Sequence, residues 1–225
     1  MGNINLFLSV YIDKVPERNK ELKECLIRNS QAGFSTIILI LEPKSEEEIS
    51  ILLNSAISIT TPDNIIVLKE RANFNYFFKL MSDPKFSDSI NVMCNSDIYF
   101  NYESLNSIRK FYDEIPNKKN TCLALSRWDI YPDGSASLFD RADSQDTWVF
   151  YGNPKVSASI NFPTGRGGCD NRIAYEIEQC GYTIINPSKS IKTYHLHLCN
   201  VRNYINDAGQ VIDIVPPPYK LIQPT

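Results

Sequence analysis

Several features that mark common protein classes are missing from this chain of 225 residues. It has no long basic stripe and carries a formal net charge of −3, so a nucleic-acid-binding surface is not expected. Its six cysteines form no Cys-x-x-Cys pair. That absence argues against a zinc ribbon or a redox dithiol and favours a reducing, cytoplasmic compartment. The apolar run at 4–12 is too short to span a bilayer and follows no basic leader, so we expect neither a transmembrane segment nor a secretory signal.

Apolar runs alternate with amphipathic stretches along the first part of the chain. The pattern predicts strands at 4–12, 35–42, 64–69 and 89–94, separated by helices at 16–33, 45–56 and 73–83. Pro16 suits a first helical turn, and Gly33 suits the end of the same helix. This order predicts an α/β fold, an open and mostly parallel twisted sheet flanked by helices, with a Rossmann-like N-terminal half.

The second part of the chain is less regular. Helices are predicted at 104–115 and 170–181, and strands at 121–126, 182–186 and 191–198. A long stretch at 127–155 shows no clear period and is interpreted as irregular. The proline-rich end cannot be a helix or a central strand, so 206–225 is predicted to be a tail or a linker. A linker there is compatible with a longer, multidomain chain.

A short polar segment, Asn95-Ser96-Asp97, ends the fourth predicted strand. Because all three residue types are common in turns, a simple turn is one interpretation. Open parallel sheets bind ligands beyond the carboxyl ends of their strands. In that second interpretation, Asp97 stands at the mouth of a binding cleft.

The only two histidines of the chain lie two residues apart, in "YHLH". On a strand, His195 and His197 would face the same side, roughly 6.5–7 Å apart. They are either a hydrogen-bonded pair on a polar sheet face or ligands of a metal ion. A site that combines them with Asp97 would keep open positions and suit Mn²⁺ or Mg²⁺, with phosphate oxygens and waters as the remaining ligands.

Two further segments carry residues suited to chemistry. In "GRGGCDNR" (165–172), Asp170 is predicted to cap a helix and still to face a cleft, behind glycines that permit a ligand such as a phosphate to approach closely. The irregular stretch combines tryptophans with arginines and acids, as sugar-binding surfaces do, although both tryptophans can also be core residues, an interpretation that the following "VF" favours for Trp148. The candidates there are Arg127, Trp128, Arg141, Asp146 and Trp148.

Taken in order, "NSD" (95–97), "GCDN" (168–171) and "HLH" (195–197) resemble the motifs of GT-A-fold glycosyltransferases. The resemblance covers roughly 4–205 and looks like a small bacterial or virus-encoded branch of that class. In the class, a D-x-D motif binds the metal, a later acid at a helix start is the catalytic base of inverting members, and a late histidine completes the metal site. Asn95 replaces the first acid of the motif here.

The resemblance implies transfer of a hexose from a nucleotide diphosphate sugar, UDP-sugar by class frequency, to a glycan hydroxyl with inversion. It implies a single domain with a nucleotide-binding half at 1–100 and an acceptor- and metal-completing half at 101–205. Asp170 would be the base, and Mn²⁺ (or Mg²⁺) would bind to Asp97 with His195 or His197. The implied nucleotide-binding residues are Ser9, Tyr11, Asp13, Arg71, Asn75, Asn95, Ser96 and Arg202.

Three other functions share some of these residues. A metal-dependent hydrolase would use Asp97, His195 and His197 to activate a water molecule. A non-catalytic carbohydrate-binding protein would use the tryptophans and need neither nucleotide nor metal. A sugar-phosphate nucleotidyltransferase shares the fold class, but the chain lacks an N-terminal glycine-rich triphosphate signature.

Overall fold

The computed structural model describes residues 2–156, 160–199, 201 and 210–225. Within that part, the chain forms eleven strands in two sheets and five α-helices. The strands are β1 (Ile4–Val10), β2 (Thr36–Leu41), β3 (Ile65–Val67), β4 (Ile90–Cys94), β5 (Ile98–Tyr99), β6 (Thr121–Leu125), β7 (Trp128–Ile130), β8 (Ala136–Leu138), β9 (Thr147–Tyr151), β10 (Thr183–Ile185) and β11 (Tyr194–His195). The helices are α1 (Pro16–Gln31), α2 (Glu46–Ile57), α3 (Phe74–Met81), α4 (Tyr102–Glu114) and α5 (Cys169–Gln179).

The large sheet has seven strands in the order β10-β6-β9-β4-β1-β2-β3. β1 pairs in parallel with β2 and β4, β2 with β3, and β6 with β10. β9 is antiparallel to both of its neighbours, β4 and β6. The prediction of an α/β fold with an open, mostly parallel sheet is therefore confirmed.

Helices cover both faces of this sheet. Side chains along β1 alternate between the faces, so that Leu6 and Leu8 belong to one buried apolar cluster and Phe7 to the other. Helices α1, α2 and α4 contribute to the first cluster, and α3 and α5 contribute to the second. This double coverage explains why β2 is apolar at every position after Thr36.

The interpretation of 127–155 as irregular is wrong, because this stretch contains β7, β8 and β9. The sequence of β9, "TWVFY", is short, aromatic and β-branched, and its first four residues are buried. Trp148 in β9 is only 3% exposed and packs in the second apolar cluster. The predicted sugar-binding role of Trp148 is therefore corrected, since its ring is a core ring that no sugar can stack on.

The small sheet has the order β5-β11-β7-β8 and brings distant segments to one place. In β11, His195 pairs with Ile98 of β5 on one side and with Asp129 of β7 on the other. This pairing sets the histidine next to the polar loop that leaves β4.

No helix in the described ranges is long and apolar enough to cross a membrane.

Residues 210–225, which we call the C-terminal segment, lie against the domain instead of extending from it as a tail. Backbone hydrogen bonds join Val215 N–H to the Gly167 carbonyl (2.8 Å) and Ile222 N–H to the Ala142 carbonyl (2.8 Å). The side chains of Val215 and Ile222 are buried in the second apolar cluster. The predicted absence of helix and central strand holds for this described part, but the predicted tail is corrected, because the segment is a packed part of the domain.

Candidate active site

A cleft of about 710 Å³ lies at the carboxyl ends of β1, β2 and β4. Sheets of this kind bind ligands at that edge, because the strand ends and the loops that follow them leave a crevice there. The loop before α5, β11 and the C-terminal segment also line the cleft. The predicted site residues that line this cleft are Ser9, Tyr11, Arg71, Asn95, Ser96, Asp97, Arg127, Arg141, Asp146, Asp170, His195 and His197.

Asp97 is at the centre of a group of ionisable side chains in this cleft. Its Oδ2 atom lies 3.1 Å from His195 Nε2 and 4.0 Å from His197 Nδ1. The same oxygen accepts a hydrogen bond from the guanidinium of Arg18, a residue of α1. Arg18 also donates hydrogen bonds to Glu21 and to the carbonyl of Leu196, the residue that follows β11. The second bond connects α1 to the segment that carries the histidines.

The charges of Asp97 and His195 depend on each other. Burial would raise the pKa of Asp97, but the neighbouring His195 and Arg18 outweigh it and hold that pKa far below its usual range. Burial would lower the pKa of His195, but Asp97 and Asp129 outweigh it and raise that pKa to about 9. Without a metal ion, therefore, Asp97 is ionised and His195 carries a proton at neutral pH.

The donor set fits a divalent cation. One ligand atom each from Asp97, His195 and His197 lies within 4.8 Å of the others, so that all three can face one ion. His195 also has the support that metal-binding imidazoles usually have, since its Nδ1 lies 2.7 Å from the carboxylate of Asp129. One carboxylate and two imidazoles leave coordination positions open, which suits Mn²⁺. A cation would take the place of the proton on His195, because a ligating imidazole must be neutral.

A chain of buried and partly buried polar contacts continues from this group along the wall of the cleft. Asp129 receives a hydrogen bond from Arg127 Nε (2.9 Å), and Arg127 Nη1 donates to Asp146 Oδ2 (3.1 Å). The other oxygen of Asp146 accepts from the side-chain amide of Asn95 (2.9 Å). Asn95 is thus a hydrogen-bond donor that fixes the loop before Asp97, and its implied bond to ribose stays a prediction.

Asp170 lies in the first turn of α5, where the helix meets the cleft. The predicted helix cap is corrected, because the residue at the cap position is Gly168 and no side chain caps this helix end. Burial raises the pKa of Asp170 from 3.8 to about 8, with a further contribution from the negative charge of Asp146. A carboxyl group with that pKa can gain and lose a proton close to neutral pH.

The glycines before α5 are needed for packing within the chain. A Cβ atom at Gly168 would lie 2.7 Å from the Tyr219 hydroxyl and 2.9 Å from the Val215 carbonyl oxygen. At Gly167 it would lie 2.8 Å from a methyl group of Val211. The C-terminal segment therefore occupies the space that the sequence pattern assigned to an approaching ligand. Its residues Val211 and Tyr219 become part of the cleft wall in doing so.

The other end of the cleft holds Tyr11, Glu42 and Arg71, which follow β1, β2 and β3. Burial raises the pKa of Tyr11, and the charge of Asp97 adds to this effect. Burial also raises the pKa of Glu42, although its Oε1 accepts a hydrogen bond from the backbone of Ala72. A flat ring beside a carboxylate and a guanidinium can stack on a planar ligand and hydrogen-bond its edge.

Some predicted residues are not brought to this cleft. Asp13 is buried in the turn before α1 and accepts the backbone N–H of Val15. Asn75 lies in α3, where its backbone bonds the Ile160 carbonyl, and Trp128 directs its indole N–H to the Ser188 carbonyl. None of Asp13, Asn75, Trp128 and Trp148 lines the cleft. The prediction for Arg202 lies outside the described residues.

The sequence interpretation missed four residues that matter here. Arg18 and Glu42 reach the cleft from α1 and from the end of β2, and Asp129 and Tyr219 come from segments interpreted as irregular or as a tail. Only Glu42 had a visible signal, because it directly follows an apolar parallel strand, at the edge where ligands bind. The others depend on contacts between residues far apart in the chain.

Comparisons with known proteins agree with this architecture. No protein-family model and no curated protein matches the chain. Among solved structures, it is similar to the mannosyltransferase PcManGT from Pyrobaculum calidifontis, in complex with GDP-Man and Mn²⁺, at 13% identity and a TM-score of 0.54, over 89% of this chain and 59% of that one. It is also similar to TarS from S. aureus, at 12% identity and a TM-score of 0.52, over 87% of this chain and 37% of that one.

A third structure, a 4-diphosphocytidyl-2C-methyl-D-erythritol synthase from Anaerococcus prevotii, matches at 16% identity and a TM-score of 0.41, over 67% of this chain and 70% of that one. The chain spans about three fifths of the mannosyltransferase and little more than a third of TarS. At these identities the similarity concerns the fold. The chain has the GT-A-like α/β fold found in nucleotide-diphospho-sugar transferases, as the sequence motifs indicated.

Proposed function

We propose that this protein is a glycosyltransferase that moves a hexose from a nucleotide diphosphate sugar to a hydroxyl group of a glycan. The observation that carries the proposal is the arrangement of Asp97, His195, His197 and Asp170 around one cleft, at the ligand-binding edge of a GT-A-like sheet. A candidate metal site and a carboxyl group with a raised pKa are the two groups that this reaction needs.

The donor would lie along the cleft with its base at Tyr11, Glu42 and Arg71. The Tyr11 ring would stack on the base, and the Glu42 carboxylate would accept an N–H from its edge, as uracil and guanine each offer. Uridine is our choice, from its frequency in the class. Ser9 and Ser96, whose hydroxyl oxygens lie 3.2 Å apart, would be next to the ribose, with Asn95 beyond them.

Asp97, His195 and His197 would hold the cation, with Mn²⁺ preferred to Mg²⁺ because two of the three ligands are imidazoles. A bound cation would neutralise the charge that develops on the diphosphate as it leaves. Arg18 would keep Asp97 ionised and turned toward the same point of the cleft. The contacts of Asp97 with Arg18 and His195 thus favour its ionised form, which is the form that binds a cation.

Asp170 would remove the proton from the acceptor hydroxyl. The acceptor oxygen then bonds to the anomeric carbon, the bond from that carbon to the diphosphate breaks, and its electron pair leaves with the phosphate. Because the acceptor oxygen attacks the anomeric carbon once, from the side opposite the leaving group, the product would have inverted configuration. Arg141 and the cleft-facing residues of the C-terminal segment would border the acceptor.

Calorimetry of UDP, GDP and dTDP, each with Mn²⁺ and with EDTA, tests this proposal. We expect UDP to bind, and to bind more weakly in EDTA, because the diphosphate charge then lacks its counter-ion. Equal affinity in Mn²⁺ and in EDTA would contradict the metal-assisted mechanism. A protein that binds glycans but none of the three nucleotides would instead be a carbohydrate-binding protein.

Product analysis separates the two enzymatic alternatives. A hydrolase would release free sugar from the donor at the same rate with and without a glycan acceptor. A nucleotidyltransferase would form pyrophosphate from a nucleoside triphosphate and a sugar phosphate. Glycan-dependent release of the nucleoside diphosphate is the result that we expect.

A further inference from the structure

Arg127 contacts four other side chains. Its side chain is about 10% exposed, and its donors reach Asp129 (2.9 Å), Asp146 (3.1 Å) and the Ser144 hydroxyl (3.0 Å). The guanidinium also lies over the ring of Phe139, with its central carbon 4.2 Å from the ring centre. This side chain is therefore held from several directions.

Each of the two carboxylates that Arg127 holds has a second partner at the candidate metal site. Asp129 contacts His195 Nδ1 (2.7 Å), the ring nitrogen opposite the one that faces Asp97. Asp146 accepts from Asn95, two residues before Asp97 in the loop that leaves β4. One guanidinium thus connects β11, which carries His195, to the loop that carries Asp97.

We propose that Arg127 is a positioning residue for the metal site, which orients His195 through Asp129 and holds the 95–97 loop through Asp146. The inference rests on the proposed function, because it assigns Arg127 a task at that same site. The guanidinium reaches two carboxylates from two different nitrogen atoms at a fixed angle. A lysine would keep the charge, but its single ammonium nitrogen cannot reproduce that fork.

A purely structural ion pair is the other explanation of the same contacts. Disturbing a buried ion pair is destabilising whichever role the pair has, so a change in the free energy of unfolding would not distinguish the two explanations. Metal affinity does distinguish them, since partners of metal-ligating residues typically change that affinity by about 10–100-fold when removed. The decisive measurement is therefore Mn²⁺ binding in the absence of turnover.

The experiment is a Mn²⁺ titration, followed by electron paramagnetic resonance of the free ion, on the wild-type protein and on Arg127→Lys, with UDP present at a fixed concentration. We expect Arg127→Lys to weaken Mn²⁺ binding by about 10–100-fold. Arg141→Lys is the matched control. Arg141 approaches the same Phe139 ring, but within the described part of the chain the ion pairs of the histidines involve Asp97 and Asp129 and not its carboxylate partner, Asp143. We expect its Mn²⁺ affinity to equal that of the wild type.

Asp129→Ala tests the same connection from the other side and does not depend on how Arg127→Lys folds. The Asp129 side chain is 30% exposed, so its truncation leaves no sealed cavity. We expect a loss of Mn²⁺ affinity in the same range. Wild-type affinity in Arg127→Lys, or in Asp129→Ala if Arg127→Lys does not fold, would overturn the proposal.

A second readout needs no metal. Because the chain has only two histidines, its imidazole N–H resonances are few, and Asp129→Ala identifies the one that depends on Asp129. We expect this resonance to move or broaden in Arg127→Lys and to stay unchanged in Arg141→Lys. If the wild-type protein binds no Mn²⁺, the metal part of the proposed function fails, and the NMR result decides by itself whether Arg127 orients His195. An unchanged resonance in Arg127→Lys would then overturn the proposal.

Discussion

Two carboxyl groups of the same cleft, Asp97 and Asp170, have opposite surroundings. Asp97 lies between Arg18 and His195, which hold its pKa far below the usual range. Asp170 lies among buried groups with Asp146 as its charged neighbour, and its pKa is raised to about 8. Groups whose pKa values are driven apart in this way commonly have different chemical roles. The surroundings of Asp97 keep a negative charge, and those of Asp170 allow a proton to be exchanged.

The difference comes from the elements that surround each group. α1 and β11 approach the Asp97 loop with a guanidinium and an imidazole. The first turn of α5 approaches the cleft behind glycines, beside the C-terminal segment, and the described residues there place no cation in hydrogen-bond contact with Asp170. Four predictions test how far Asp97 and Asp170, with their surroundings, are independent, in order of decreasing expected effect.

The largest effect should come from Asp170→Asn. This change removes the basic carboxylate but keeps the side-chain size, so we expect the transfer rate to fall by about 10²–10⁴-fold while donor affinity stays close to that of the wild type. The measurement is glycan-dependent release of the nucleoside diphosphate, alongside calorimetry of the same nucleotide. Retention of most of the activity would make Asp146 the next candidate for the base.

The next effect should come from Asp97→Ala, which leaves Arg18 and His195 without their shared counter-charge. We expect the free energy of unfolding to fall by about 3–5 kcal/mol and Mn²⁺ to lose its effect on nucleotide binding. Asn95→Ala is the matched control in the same loop, and it removes a neutral donor whose net contribution is about 0.5–1.5 kcal/mol. Chemical denaturation and calorimetry check both. Equal losses from the two variants would argue against a distinct role for Asp97.

The pH dependence follows from the raised pKa of Asp170. A base must be deprotonated, so kcat/KM should rise by about tenfold per pH unit up to about pH 8 and then level off. The folded protein holds a proton that the unfolded chain releases near pH 4. The free energy of unfolding of the wild type, relative to Asp170→Asn, should therefore fall between about pH 4 and pH 8. A relative stability that does not change over this range would show that the pKa is not raised.

The smallest effect should come from Gly168→Ala at the start of α5. An alanine there must adopt a positive φ of 74° and also displace Tyr219 or the backbone at Val215. Gly181→Ala is the matched control at the other end of α5, where φ is 87° and no atom lies within 4 Å of the added Cβ. We expect Gly168→Ala to cost about 1–3 kcal/mol more in thermal or chemical denaturation. Equal costs in the two variants would mean that the C-terminal segment shifts to accommodate the added methyl group without a measurable loss of stability.

The first half of the fold could be predicted from the sequence because its information is local. Helix α1 begins at Pro16 as predicted, and the apolar run of β2 indicates a strand covered on both faces. Parallel strands end at the same edge of the sheet, so the position of Asp97 at the cleft follows from the order of the elements alone. The two histidines lie close together as predicted, with ring centres 5.4 Å apart, but the predicted strand at 191–198 is corrected, because β11 ends at His195 and His197 follows it.

The second half could not be predicted because its information is in contacts between distant residues. β9 was missed inside a longer polar stretch, although its five residues have strand character, and its place between β4 and β6 is visible only in the folded chain. Arg18 meets Asp97 across 79 positions of sequence, and no periodicity reports such a pairing. The glycines before α5 are required because other atoms lie close to them, but those atoms belong to the C-terminal segment and not to a ligand.

The position of β9 has a consequence for how the protein is made. β4 ends at Cys94, and the strand that covers its outer edge ends at Tyr151, 57 residues later (151 − 94). At a synthesis rate of about 5–20 residues per second, that edge waits about 3–11 seconds for its partner. An uncovered, apolar strand edge is a template for pairing with other chains. The nascent polypeptide is thus exposed to aggregation in this interval, and slower translation of residues 95–151 would be expected to lower the yield of folded protein.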